Sequence, residues 1–179
     1  MVIALAGRRI DATGAVPARF PLENVRLVEQ RLRGLLESET ARAIVSSAAC
    51  GADLLAQGVA GTLGLRRRVV LPFVRHRFRQ TSVTDRPGNW GSAYDRLLNE
   101  LDATGDVVNV GWSGEETAAY AAVNVTILDE AATMGAESGQ EVLAVIVWDG
   151  ASRGHDDLTA AFGQEARKRG LRVEEISTL

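Results

Sequence analysis

Three aspartates, Asp53, Asp156 and Asp157, and the arginine pair Arg8-Arg9 are the residues of this chain best placed to act on a small molecule. A guanidinium fork holds a phosphate or carboxylate through two parallel hydrogen bonds. A carboxylate accepts a ribose hydroxyl or, with a raised pKa, moves a proton. Around Asp53, the run Ile44-Val45-Ser46-Ser47-Ala48-Ala49-Cys50-Gly51-Ala52-Asp53-Leu54-Leu55-Ala56 passes from an apolar strand through small residues into an apolar helical pattern. In such a strand-loop-helix unit, backbone N–H groups can cradle a phosphate at the helix N-terminus, where the macrodipole also favours negative charge. Asp53, in the first helical turn, would repel that phosphate, so a ribose hydroxyl is its better partner; the structural alternative is a favourable charge at a helix N-terminus.

The remaining polar residues carry two readings each. Asp156 and Asp157 precede a helical pattern and read as an N-cap with a supporting charge, or as carboxylates facing a pocket. Cys50 reads as a small loop filler, or as a thiolate at a helix N-terminus for which no base can be assigned. Gly51 supplies a positive-φ turn on either reading. Arg75, His76, Arg77 and Arg79, with Arg66, Arg67 and Arg68 upstream, form the densest positive patch. That patch reads as a lid over an anionic ligand, a nucleic-acid surface or solvated charge. His76 and His155 are too isolated to make an acid–base pair.

The elements that must position these residues alternate. Val2–Ala6, Arg42–Ser46, Arg68–Leu71, Val107–Val110, Val142–Trp148 and Arg172–Ile176 read as strands. Helical spacing covers Pro21 to Ser38, Ala52 to Leu63, Trp90 to Leu101, Glu115 to Thr133 and Asp157–Arg169. Between Phe73 and Trp90 the pattern lapses into a long polar connection. Strands alternating with helices predict a single α/β domain over 1–179. The expected architecture is a three-layer Rossmann-like fold, with a mostly parallel sheet of about five to seven strands and helices on both faces. Ligands of such sheets sit beyond the strand carboxyl ends, where strand order reverses. Those ends are Gly7-Arg8-Arg9, Ser47 to Gly51, Pro72-Phe73 and Asp149-Gly150.

Composition narrows the class further. The 179 residues are 46% hydrophobic and carry a net charge of −3, which gives no electrostatic reason to expect nucleic acid or an anionic membrane as partner. Cys50 is the single cysteine, so no intrachain disulfide forms, and no Cys/His spacing suits a metal; neither metal nor cofactor is expected. The N-terminus shows no secretion signal and the stretch from Ala43 to Leu65 is too polar to span a membrane, so a soluble, cytoplasmic chain is expected. An alanine-rich helix over Thr117–Ala132 offers a smooth face for a second copy, although core burial explains it equally well.

Set side by side in order, the strand ends resemble the SLOG superfamily, the Rossmann-like group that contains DNA-processing protein A, the Lonely-guy phosphoribohydrolases and nucleotide-sensing domains. The resemblance rests on Gly7-Arg8-Arg9, Ser46 through Asp53 ending in Gly-Ala-Asp, Leu71-Pro72-Phe73, Trp90 with Tyr94-Asp95, Tyr120 with Asn124, and Val147-Trp148-Asp149-Gly150. It implies a nucleotide or nucleotide-derived ligand contacted by Gly7, Arg8, Arg9, Ser47, Ala48, Gly51, Ala52, Asp53, Pro72, Phe73, Trp90, Asn124, Asp149 and Gly150. Two departures matter. Ser47-Ala48-Ala49 replaces the paired glycines of the family loop. The hydrolases' Pro-Gly-Gly-x-Gly-Thr-x-x-Glu segment has no counterpart in Gly150-Ala151-Ser152-Arg153-Gly154 through Thr159. Binding is therefore the leading expectation, and cleavage of an N-glycosidic bond by Asp53, Asp156 or Asp157 is the alternative.

Overall fold

The computed structural model describes residues 1–112 and 116–179. Six strands form one sheet: β1 (Val2–Gly7), β2 (Ala43–Ser46), β3 (Arg66–Leu71), β4 (Val107–Asn109), β5 (Val142–Trp148) and β6 (Arg172–Ser177), in the order β4-β3-β2-β1-β5-β6. All the strand pairings are parallel. Period-two alternation divides each strand between two cores. Ile3, Leu5, Ile44, Val69, Leu71, Val145 and Val147 face one layer, whereas Val2, Ala4, Val45, Val70, Ala144 and Ile146 face the other.

The first layer contains α1 (Val25–Ser38), α2 (Ala52–Thr62), the short α3 (Arg75–Phe78) and α4 (Trp90–Asp102); the second is built from α5 (Glu116–Ser138) and α6 (Leu158–Lys168). From β1 the chain steps outward through β2, β3 and β4, then returns to β5 on the other side of β1. Strand order therefore reverses between β1 and β5, which opens a crevice over their carboxyl ends. Among the described residues no helix is long and apolar enough to cross a membrane.

Several boundaries differ from the expected ones for identifiable reasons. The helix expected from Pro21 opens as a 3₁₀ turn, Leu22–Asn24, in which the Asn24 amide donates to the Pro21 carbonyl and the Asn24 side chain makes no cap. β3 begins at Arg66, two residues earlier than expected, since Asp106 takes both Arg66 and Arg68 and Glu100 takes Arg67. α5 runs five residues past Thr133: Met134, the next residue, is buried, and Gly139, at φ +65°, then stops the helix. Its expected first residue, Glu115, lies outside the described residues.

The connection after β3, expected as a polar loop, holds α3 and a π-helical turn, Arg79–Val83. Phe78 anchors it, buried against Phe73, Tyr94 and Tyr120. Such π turns recur at functional sites.

Candidate functional site

β1 ends where α2 begins, and two glycines allow it. A Cβ on Gly7 would lie 2.4 Å from the Ala52 Cβ and 2.8 Å from the Val147 Cβ, so only glycine lets the α2 N-terminus seat against the end of β1. Gly51, at φ +104°, pairs antiparallel with Arg9; a side chain there would meet the Arg8 carbonyl at 2.8 Å. Gly7→Ala is thus expected to cost about 1–3 kcal/mol through overpacking. Chemical unfolding of the variant checks this, and an unchanged midpoint would contradict the packing role.

This close junction also occupies the loop that the sequence nominated as a phosphate cradle. The Cys50 amide donates to the Ser82 carbonyl, the Ala52 amide to the Arg8 carbonyl and the Ala49 amide to Asp53 Oδ2 at 3.3 Å. Ala48 and Cys50 are fully buried. Burial pushes the Cys50 thiol up, even with the Arg9 guanidinium opposing it, which suits a filler and not a nucleophile.

The crevice itself is a cleft of about 260 Å³. Leu5, Val123, Ile127 and Leu158 supply apolar wall, Phe78 and Tyr120 aromatic wall, and Asn124, Ser47, Ser82 and Thr159 polar groups. Ser82 and Tyr120 share a hydroxyl hydrogen bond of 2.7 Å, which ties the π turn to α5 across the cleft. The Asn124 Nδ2 donates to the Leu158 carbonyl, and its amide oxygen makes no hydrogen bond to the described residues.

Asp53 is the unusual group in this wall. It is 7% exposed, its Oδ1 has no hydrogen-bond partner among the described residues, and it lines the cleft. Burial pushes its carboxyl up to about 7, although the Ala49 and Gly7 amides and the Arg9 guanidinium pull the other way. A buried oxygen without a partner costs free energy unless something supplies a hydrogen bond.

The paired arginines diverge. Arg8 is 3% exposed and donates Nε to Asp149 at 2.8 Å, both terminal nitrogens to Asp157 at 2.7 and 2.8 Å, and Nη2 to the Ala151 carbonyl. Asp157 also N-caps α6 by accepting the Thr159 and Ala160 amides. Burial works against its charge, but the Arg8 guanidinium and the Arg153 and Ala160 amides hold Asp157 well below the usual carboxylate range. Arg8, Asp149 and Asp157 therefore clamp the β1 end to the loop after β5. Arg9 turns to the opposite side, pairing with Asp85 and reaching the Thr81 carbonyl, with its Nε buried and without a hydrogen-bond partner among the described residues.

Of the sequence-nominated residues, Gly7, Arg8, Arg9, Ser47, Asp53 and Asn124 line the cleft. Ala48, Gly51 and Ala52 build the turn behind it. Phe73 packs edge-on against Tyr120 and supports the wall from outside, and Pro72 is buried at the end of β3, its carbonyl accepting the Trp112 amide. Trp90 donates its indole N–H to the Pro87 carbonyl, away from the cleft, and Trp148 lies under Arg8 and bonds Glu175. Asp149 serves the arginine clamp, Gly150 makes a positive-φ turn, and Asp156 is exposed beside His155. Arg75 and Arg79, two residues of the expected lid patch, pair with Asp95 instead of reaching the cleft.

Sequence reading missed Arg19, Arg86, Arg153, Ser82 and Thr159, all of which line the cleft. Arg153 lies in the loop after β5, where the strand-end rule that singled out Gly7 applied as well, whereas Arg86 follows the π turn, well past the end of β3. Among the described residues no group of three His, Cys, Asp or Glu side chains could hold a metal ion.

Strand order, parallel pairing and a cleft over the β1/β5 reversal define a doubly wound, Rossmann-like α/β protein. Among solved structures the chain is similar to DNA processing protein A from Streptococcus pneumoniae, with a TM-score of 0.43 and 17% sequence identity over 96% of this chain and 57% of that one. It thus spans a little over half the length of that protein. The match is distant and carries no residue roles across. No protein-family profile matches the chain, and no curated protein does.

Proposed function

We propose that this chain binds a nucleotide-derived small molecule in the cleft over β1 and β5. The observation that carries the reading is the unpartnered, buried Asp53 Oδ1 in the wall of a cleft at the strand-order reversal. A sugar hydroxyl donating to that oxygen would satisfy it; a protonated Asp53 could instead donate to a ligand oxygen. Tyr120 offers an aromatic ring for a base and the amide oxygen of Asn124 an acceptor for its edge, while cleft arginines attract the anionic part. Affinity would come from side chains, because three amides of the 47–52 turn already bond within the protein.

The test is to denature natively purified protein and analyse what it releases by mass spectrometry, alongside thermal-shift measurements over a nucleotide panel. A released nucleotide or a rise in Tm is the expected result. No release together with no shift anywhere in the panel would end the reading.

The second reading is cleavage of an N-glycosidic bond, and one observation favours it. Of the three nominated carboxylates only Asp53 lines the cleft, and a carboxyl pushed up to about 7 suits proton transfer at neutral pH. Incubation with nucleoside monophosphates and chromatography for free base separates the two. Free base above a heat-killed control, abolished in Asp53→Asn, supports catalysis; its absence leaves binding alone.

A further inference from the structure

Resting on the nucleotide-binding reading, we infer that the ligand carries two separate anionic groups, one held by Arg153 and the other by Arg86. Both arginines line the cleft, and neither guanidinium makes a hydrogen bond to the described residues. Arg153 Nε stands 3.7 Å from Asp157, whose two oxygens already serve Arg8, the Arg153 amide and the α6 amides. Arg86 Nε stands 3.6 Å from an Asp85 oxygen that Arg9 already occupies.

Charge balance gives the same result on each side. After β5, Arg8, Arg19 and Arg153 face Asp149 and Asp157, three cations against two anions. Burial and the nearby Arg8 and Arg19 make it harder for Arg153 to hold its proton, so a ligand anion there would relieve like-charge repulsion. Toward β3, Arg9 and Arg86 face Asp85, two cations against one. The two ion-pair networks share no residue, since Arg8 turns toward β5 and Arg9 toward the π turn. Two further aspartates line the cleft outside both ion-pair networks: Asp11 accepts the Arg19 and Phe20 amides, and Asp53 the Ala49 amide.

The cleft volume fits this arrangement. About 260 Å³ is close to the lower end of small-molecule sites, room for a nucleoside body with its charged groups at the rim. Arg86 and Arg153 are 31% and 52% exposed, which places both guanidiniums at that rim. A nucleoside bisphosphate with phosphates on different sugar carbons, or a dinucleotide, has this charge distribution. A nucleoside monophosphate has only half of it.

The probes are adenosine, adenosine 5′-monophosphate and adenosine 3′,5′-bisphosphate, with the guanosine counterparts, titrated calorimetrically into the wild type, Arg86→Gln and Arg153→Gln. Both positions are partly exposed and weakly paired, so the variants fold. The bisphosphate is expected to bind at least about tenfold tighter than the monophosphate, and each variant to lose about tenfold on the bisphosphate, the scale of a hydrogen bond to a charged group. Only one variant should weaken the monophosphate. A bisphosphate no tighter than the monophosphate, or a monophosphate weakened equally by both variants, would overturn the two-anion inference while leaving nucleotide binding in place. No binding of any probe would overturn both.

Discussion

Arg8→Ala is expected to lower the stability of this chain by about 3–5 kcal/mol, the cost of removing one partner from a buried ion pair. The side chains of Arg8, Asp149 and Asp157 are 3%, 6% and 0% exposed. The cost comes less from the lost attraction than from two carboxylates left in low dielectric. Arg8→Lys should retain part of the stability, because an ammonium keeps the charge but cannot reproduce the fork that bonds Asp149, Asp157 and the Ala151 carbonyl together. Denaturant unfolding should rank wild type above Arg8→Lys above Arg8→Ala. Equal midpoints would mean that the clamp between β1 and the loop after β5 contributes nothing. Arg8, nominated from sequence as a ligand contact, lines the cleft and also ties the end of β1 to the loop after β5.

The second large effect is a pH dependence that Asp53→Asn should remove. Asp53 has its folded pKa raised to about 7, against a usual value near 4 in the unfolded chain. Between those values the native state holds a proton that the unfolded chain has released. The stability from this group is therefore fully present below about pH 4 and lost as pH rises through about 7, on the order of 4 kcal/mol in all. Asp157 behaves oppositely: its folded pKa is depressed, so its contribution is present above about pH 4 and lost only on further acidification. The window from pH 5 to 8 thus belongs to Asp53. Wild type should lose about 2–3 kcal/mol more than Asp53→Asn across it, read from urea midpoints at the two pH values. Parallel curves would show that Asp53 is not a buried, unsatisfied acid. A saturating ligand that donates a hydrogen bond to Oδ1 should flatten the wild-type slope, which links this measurement to the binding reading.

Fold legibility followed the strength of each local pattern. Val142–Trp148, apolar throughout, read as a strand covered on both faces, and Gly7 and Gly51 marked tight turns that the structure uses for close packing. The segment after β3 was illegible as structure because its buried apolar residues, Phe73, Phe78 and Val83, are five residues apart. That spacing matches neither strand nor helix and becomes meaningful only when Tyr94 and Tyr120 arrive from elsewhere in the chain.

The site divided in the same way. Asp53 was visible because it lies beside its own turn, yet that the turn's amides point inward depends on Ser82 and Arg8. Arg8 could not be recognised as a clamp, since Asp149 and Asp157 lie 141 and 149 residues away and no local pattern encodes that pairing. Arg86 and Arg153 sit in loops without periodicity. What distinguishes them is that neither guanidinium hydrogen-bonds to a described residue, a property of the folded chain.

The central claim, that the cleft over β1 and β5 takes a nucleotide-derived ligand against Asp53, is tested most directly by methyl NMR during titration with nucleoside mono- and bisphosphates. Leu5, Ile10, Val123, Ile127 and Leu158 report from the cleft wall, while Leu36, Leu97 and Leu101 report from the helical layer beyond it. The account predicts saturable shifts at the first set, little change at the second, and their loss in Asp53→Asn. Shifts confined to the second set, or none at all, would contradict it.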